Sequence, residues 1–197
     1  YFPKGDKYIG EIKDGQKRGK ALMFFYVDKS SYDGFYKDDK RNGQGTLTFL
    51  NGSIYEGSWK DDLANGTGVI RYNNGDVYEG GWIDNHAQGD GIFTSSNGLV
   101  YKGQFKNGFF SGSGKLIYTN NTTYEGQWNK NFANGNGTFV TRDGIIYSGT
   151  FKEGKINYSG SVTYATNQDY TQKGELFYRH GIDMESISLL RGELFEK

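Results

Sequence analysis

The 197-residue sequence has no cysteine, a single proline and two histidines. Without cysteine there is no disulfide framework and no thiolate to hold a metal or act as a nucleophile, while the compartment stays open because a cysteine-free chain is at home anywhere. Neither sign of charge is in excess: 23 Lys and Arg stand against 23 Asp and Glu. A domain that binds phosphates through counterion release carries surplus Lys and Arg, so nucleic acid is not expected as a partner. No apolar run approaches the ~20 residues needed to span a bilayer, and no signal peptide is evident. Glycine (31) and the aromatics (16 Tyr, 14 Phe, 3 Trp) are abundant instead, where roughly 7% glycine is usual. With so little aliphatic surplus, a thick two-layer core is not expected.

The aromatics are periodic. Tyr8, Tyr32, Tyr55, Tyr78, Tyr101, Tyr124, Tyr147 and Tyr170 are separated by one interval of 24 and then by intervals of 23. Two places after the tyrosine stands a glycine (Gly10, Gly34, Gly57, Gly80, Gly103, Gly126, Gly149), and two further on an aromatic (Tyr36, Trp59, Trp82, Phe105, Trp128, Phe151), with Ile12 in the first unit. Later glycines recur as pairs, such as Gly66 with Gly68 and Gly112 with Gly114, followed by an apolar residue at Leu47, Ile70, Phe93, Leu116, Phe139 and Val162.

Within a unit, Tyr55-Glu56-Gly57-Ser58-Trp59-Lys60 alternates with period two and predicts a strand with one distinct face. Gly68-Val69-Ile70-Arg71-Tyr72 predicts a second strand. Asn51-Gly52, Asn74-Gly75, Asn97-Gly98 and Asp143-Gly144 carry the signature of a two-residue type I′ turn and place the tight hairpin between units, leaving the stretch from Asp61 to Gly66 as a longer polar loop. Short hairpins throughout imply an antiparallel meander in which each unit touches only its neighbours, with a twist accumulating along it. The glycines are expected to leave flat backbone for the rings to cover.

Tyr55 through Gly68 and Tyr124 through Gly137 resemble the MORN repeat, and the resemblance runs from Tyr8 to about Tyr170. It implies an all-β fold: a single-layer, elongated, twisted antiparallel meander of 23-residue MORN hairpins. The units are expected at 8–31, 32–54, 55–77, 78–100, 101–123, 124–146 and 147–169, with 1–7 ending a preceding repeat and 170–197 a degenerate repeat and cap. Tyr158 replaces a repeat glycine, and Gln172 and Gly174 stand where glycine and an aromatic are wanted, so the array is expected to end there. Asp183 as N-cap with Met184, Ile187, Leu190 and Leu194 at helical spacing predicts a short C-terminal capping helix. The chain opens at Tyr1 rather than Met, and the run from Phe2 to Lys7 reads as the end of an earlier unit, so more repeats are expected upstream.

Little in the sequence offers catalysis. His86 and His180 lie four units apart. Gly112-Ser113-Gly114-Lys115 lacks the remaining residues of a phosphate-binding loop and precedes a strand rather than a helix. Asp61 and Asp62 have no apolar pocket to raise a pKa. Sequons at Asn51, Asn65, Asn120, Asn121, Asn136 and Asn157 follow from Asn-rich turns entering Thr-rich strands. Two surfaces remain. The ring face, represented by Tyr55, Trp59, Tyr78, Trp82, Tyr101, Phe105, Tyr124 and Trp128, reads as a minimal core and as a groove for a peptide, a helix or a second copy. Lys13, Lys37, Lys60, Lys106 and Lys152 recur on the opposite face about 10 Å apart, a spacing suited to an anionic membrane, although Glu56, Glu79 and Glu125 share that face.

The MORN resemblance implies a non-enzymatic scaffold or docking module, cytoplasmic and associated with cytoskeleton, cilium or membrane junction, that binds a protein partner or itself. The alternatives are a peripheral phospholipid-binding module and the targeting array of a larger enzyme. No cofactor and no metal is expected.

Overall fold

The computed structural model describes residues 5–163 and 169–170. Fifteen strands follow one another: β1 (Lys7–Lys13), β2 (Gln16–Phe24), β3 (Ser31–Lys37), β4 (Lys40–Thr48), β5 (Ile54–Lys60), β6 (Leu63–Arg71), β7 (Val77–Ile83), β8 (His86–Thr94), β9 (Val100–Lys106), β10 (Phe109–Ile117), β11 (Thr123–Asn129), β12 (Phe132–Val140), β13 (Ile146–Lys152), β14 (Lys155–Thr163) and β15 (Asp169–Tyr170). They pair in sequence order, all antiparallel, in one sheet. The expected meander is therefore the fold. The proposed capping helix at 183–194 lies outside the described residues.

The two kinds of connection are the reverse of the sequence reading. The two-residue hairpin lies inside each unit, at Asp61-Asp62 between β5 and β6, with φ of 51° and 70°, and likewise at Asp38-Asp39, Asp84-Asn85 and Lys130-Asn131. Positive φ at both central positions is the type I′ requirement, and Asp and Asn meet it nearly as well as glycine. The Asn-Gly pairs sit in five-residue loops between units. There only the glycine has positive φ (Gly52 at 85°), while Asn51 Oδ1 accepts from the Ser53 N–H at 2.9 Å, an Asx turn.

Pairing also explains the paired glycines. Gly57 faces Gly68 and Trp59 faces Ala64, so Asn65, Gly66 and Thr67 together oppose Ser58. This bulge needs a residue at positive φ, and Gly66 supplies it at 107°. Gly68 has a different task. A Cβ there would lie 2.7 Å from Tyr55 Cζ, because the tyrosine ring lies back along its strand over Gly57 and Gly68 and its hydroxyl donates to Ser58 O at 3.0 Å. Successive repeats are also clasped at the hairpin turns. Asn131 N donates to Phe110 O at 3.1 Å, and Asn131 Oδ1 accepts from Phe110 N at 2.7 Å. Asp62 and Asn85 hold Arg41 and Ala64 in the same two-point way.

Candidate functional site

The ring face is a continuous aromatic zipper. Within a unit Tyr55 meets Trp59 edge to face at 5.1 Å, and across units it meets Trp82 at 5.1 Å. The pattern continues through Tyr78–Trp82, Tyr78–Phe105, Tyr101–Phe105, Tyr101–Trp128, Tyr124–Trp128 and Tyr124–Phe151. Each tryptophan is pinned as well as packed: Trp59 Nε1 donates to Gly45 O, Trp82 Nε1 to Gly68 O and Trp128 Nε1 to Gly114 O, at 3.0, 3.1 and 3.0 Å.

The consequence corrects one expectation. Tyr55, Tyr78 and Tyr101 are 0% exposed, Trp82 and Phe105 2%, and Trp128 5%, with Trp59 and Tyr124 equally covered. These rings are not an open groove. The bulges bring each unit's second aromatic over the tyrosine of the preceding unit, so the single sheet covers its own ring face. Burial accordingly pushes the phenols up, Tyr124 to about 12 and Tyr55, Tyr78 and Tyr101 further.

The lysine row is exposed as expected, at Lys13, Lys37, Lys60, Lys106 and Lys152. Each of Lys13, Lys37 and Lys60, however, is followed directly by a turn carboxylate, Asp14, Asp38 or Asp61, and Lys152 by Glu153. Most of the row therefore has a carboxylate as its next residue, although none of these neighbours lies within ion-pair distance among the described residues. His86 Nδ1 lies 2.7 Å from Asp84 O in its own turn, and His180 is outside the described residues. Among the described residues no group of acids and histidines could hold a metal ion.

The face opposite the rings carries a concave surface. Over β9 to β13 lies an open groove of about 890 Å³, within the size range of ligand clefts. Its floor is bare backbone at Gly103, Gly114, Gly126, Gly137 and Gly149. These glycines lie in cross-strand register, and the missing Cβ atoms of Gly103, Gly114, Gly126 and Gly137 would point into Tyr101 or Tyr124. One wall is the cross-strand row Lys102, Lys115, Glu125, Thr138 and Ser148. Lys115 Nζ bridges Glu125 at 3.0 Å. On the other wall Gln127 Oε1 accepts from the Asn136 N–H at 2.8 Å, and one repeat earlier, beside the groove rather than in its lining, Gln104 Oε1 accepts from the Ser113 N–H at 3.0 Å. Both glutamines thus satisfy a bulge N–H with the side-chain oxygen.

Sequence reading did not find this groove, although a signal was present. The place after the repeat glycine's preceding tyrosine is acidic at Asp33, Glu56, Glu79 and Glu125 but lysine at Lys102, and two places further on glutamine appears only at Gln104 and Gln127.

A linear array of hairpin units in one antiparallel sheet, zipped by rings across each unit boundary, defines a β-repeat protein whose units touch only their neighbours. The MORN repeat pattern matches residues 8–26, 32–54, 55–77, 78–100, 101–123, 124–145 and 147–167, and the chain belongs to the MORN repeat family. No curated protein matches its sequence significantly. Among solved structures it is similar to the Drosophila melanogaster SAS-4 (dCPAP) TCP domain in complex with a proline-rich motif of dSTIL, at 13% identity over 85% of this chain and 90% of that one, TM-score 0.50. The TCP10c domain of Drosophila melanogaster Sas-4 is matched at 11% identity over 84% and 96%, TM-score 0.46. The likeness to the first is one of fold.

Proposed function

We propose that this chain is a non-catalytic docking scaffold that takes an extended segment of a protein partner along the groove over β9 to β13. The observation carrying this reading is the division of labour between the faces: the rings are consumed in holding the repeats together, while the opposite face offers a glycine-floored cleft walled by lysines and amides. The Drosophila domain of similar fold was solved with a peptide bound, which supports a peptide partner here. The family resemblance supports a place in a cytoskeletal or membrane-junction assembly. Anionic membrane binding through the lysine row has less support, since turn carboxylates sit beside most of those lysines.

The test is partner capture by the intact array, repeated with Lys115→Glu in the groove and with Lys60→Glu in the lysine row. Loss of the captured partner with the groove variant alone supports the proposal. Loss with Lys60→Glu alone, accompanied by salt-sensitive sedimentation with phosphatidylserine vesicles, overturns it in favour of the membrane reading.

A further inference from the structure

The dimensions of the groove select a conformation for its occupant. The lining residues run from Lys102 on β9 to Gly149 on β13, so the groove crosses the strands and follows the array. On the bulged wall the equivalent residues Ser113 and Asn136 recur once per unit, every two strands, or about 9.6 Å. An extended β segment presents a given side every second residue, about 6.8 Å, and drifts out of step. A polyproline II helix has three residues per turn and a rise of about 3.1 Å, hence a repeat of about 9.3 Å, and stays in step for the length of the cleft. Four strand spacings, about 19 Å, hold about two such turns.

The polar groups point the same way. A polyproline II backbone makes no internal hydrogen bonds and leaves its carbonyls free. Gln127 on the wall and Gln104 beside the groove stand one unit apart, each with its Oε1 committed to the bulge of its own repeat, so the only groups either side chain has left to offer an occupant are amide N–H donors. Lys102 and Lys115 face each other directly across β9 and β10. Like charges so placed repel. Glu125 offsets Lys115, and Lys102 has no carboxylate within ion-pair distance among the described residues. We infer that the groove binds a polyproline II segment of a protein partner that carries a carboxylate side chain over Lys102 and Lys115. The inference rests on the docking reading above and specifies its ligand.

The experiment uses the intact chain and fluorescence anisotropy with three labelled peptides: an oligoproline bearing one glutamate, the same oligoproline bearing glutamine, and a Gly/Ser peptide bearing one glutamate. The first is expected to bind at least about tenfold tighter than the other two, since each of them lacks either the charge or the preorganised backbone. Lys102→Glu should weaken it by a similar factor, Gln127→Ala by several-fold, and Lys60→Glu should leave it unchanged. Circular dichroism verifies the fold of each variant, and Lys102→Gln serves where charge reversal perturbs it. Equal binding of the Gly/Ser and oligoproline peptides overturns the conformational selection while leaving the groove as a docking site. If no peptide binds yet Lys115→Glu still abolishes partner capture, the ligand class is wrong and the scaffold reading stands. If groove variants change neither, both fall.

Discussion

Trp82 closes over Tyr55 of the preceding repeat with ring centroids 5.1 Å apart and planes at 85°, while its indole N–H donates to Gly68 O in that same repeat. One side chain therefore supplies both the apolar lid and a hydrogen bond across a unit boundary. A repeat array is stabilised largely through such neighbour terms, so the loss of one lid is felt by both units.

Trp82→Ala is expected to cost about 3–5 kcal/mol, read by urea unfolding, with broadened or biphasic transitions as the two halves uncouple. Trp82→Phe keeps the lid and loses the bond to Gly68, as at Phe105 in the next repeat, and should cost less than half as much. Equal losses for the two variants would show that the indole N–H, rather than ring burial, dominates the boundary.

The glycines separate into two mechanisms that one substitution can distinguish. Gly52 has φ of 85° and nothing within 4 Å of its missing Cβ, and the corresponding loop of another unit has Asn121 at φ 65°. Gly52→Asn should therefore change stability by no more than about 0.5 kcal/mol. Gly68 has ordinary strand backbone but no room, since its Cβ would fall 2.7 Å from Tyr55 Cζ. Gly68→Asn is expected to cost at least the ~1–3 kcal/mol of overpacking, with the added penalty of a buried amide. Thermal melts of the two variants side by side test the distinction, and a mild effect at Gly68 would mean that the tyrosine ring can move aside.

Much of the fold was legible because one period writes it seven times. Tyr55, Gly57 and Trp59 alternate as a strand face must, and the short spacers leave only a meander. The connections were misread because Asn51-Gly52 and Asp61-Asp62 both satisfy turn chemistry. What separates them is whether the asparagine side chain caps its own loop, a local hydrogen bond that residue type alone does not disclose. The ring face was misjudged for a related reason: Trp82 is 23 residues from Trp59, but its contact with Tyr55 depends on the bulge at Gly66, which changes the direction of the strand. The groove residues were hidden differently. Lys102, Gln104 and Gln127 are departures from the repeat, and a reading organised around what recurs passes over what does not.

The turn clasps invite a test that nature has partly set up. Asn131 bonds Phe110 through both its side-chain oxygen and its backbone N–H, whereas Gly108 and Gly154, at the same place in other units, bond Ala87 and Ala133 through the backbone N–H alone. Asn131→Gly keeps the positive φ of 71° and removes the side-chain acceptor, leaving a buried N–H at Phe110, while it also removes the buried, unpartnered Asn131 Nδ2. The expected cost therefore lies in the lower part of a range of about 1–3 kcal/mol, with hydrogen exchange at the Phe110 amide accelerated more than at the Phe132 amide. Exchange at Phe110 that stays as slow as before would mean that water or a rearranged turn takes over the bond.

The zipper also sets an alkaline limit on stability. Burial, the dominant cause, raises the phenols of Tyr32, Tyr36, Tyr55, Tyr72, Tyr78 and Tyr101 far above their ordinary value, and raises Tyr124 to about 12. In the unfolded chain these groups titrate near ~10. Below that pH both states hold the proton and the stabilisation is intact. As pH rises from about 10 toward 12, the unfolded state releases protons that the native state keeps, so stability must fall, by up to about 1.4 kcal/mol per pH unit for each such tyrosine. Ionisation in place is opposed further because hydroxyls such as that of Tyr55 and Tyr101 donate to backbone carbonyls, Ser58 O and Gln104 O, which a phenolate cannot do. A sharp alkaline unfolding transition is expected, with tyrosinate absorbance and loss of the β-sheet circular dichroism signal rising together over a narrow pH interval. Phenols that ionise gradually around their ordinary value while the sheet signal persists would show that the rings are reached by water without opening the array.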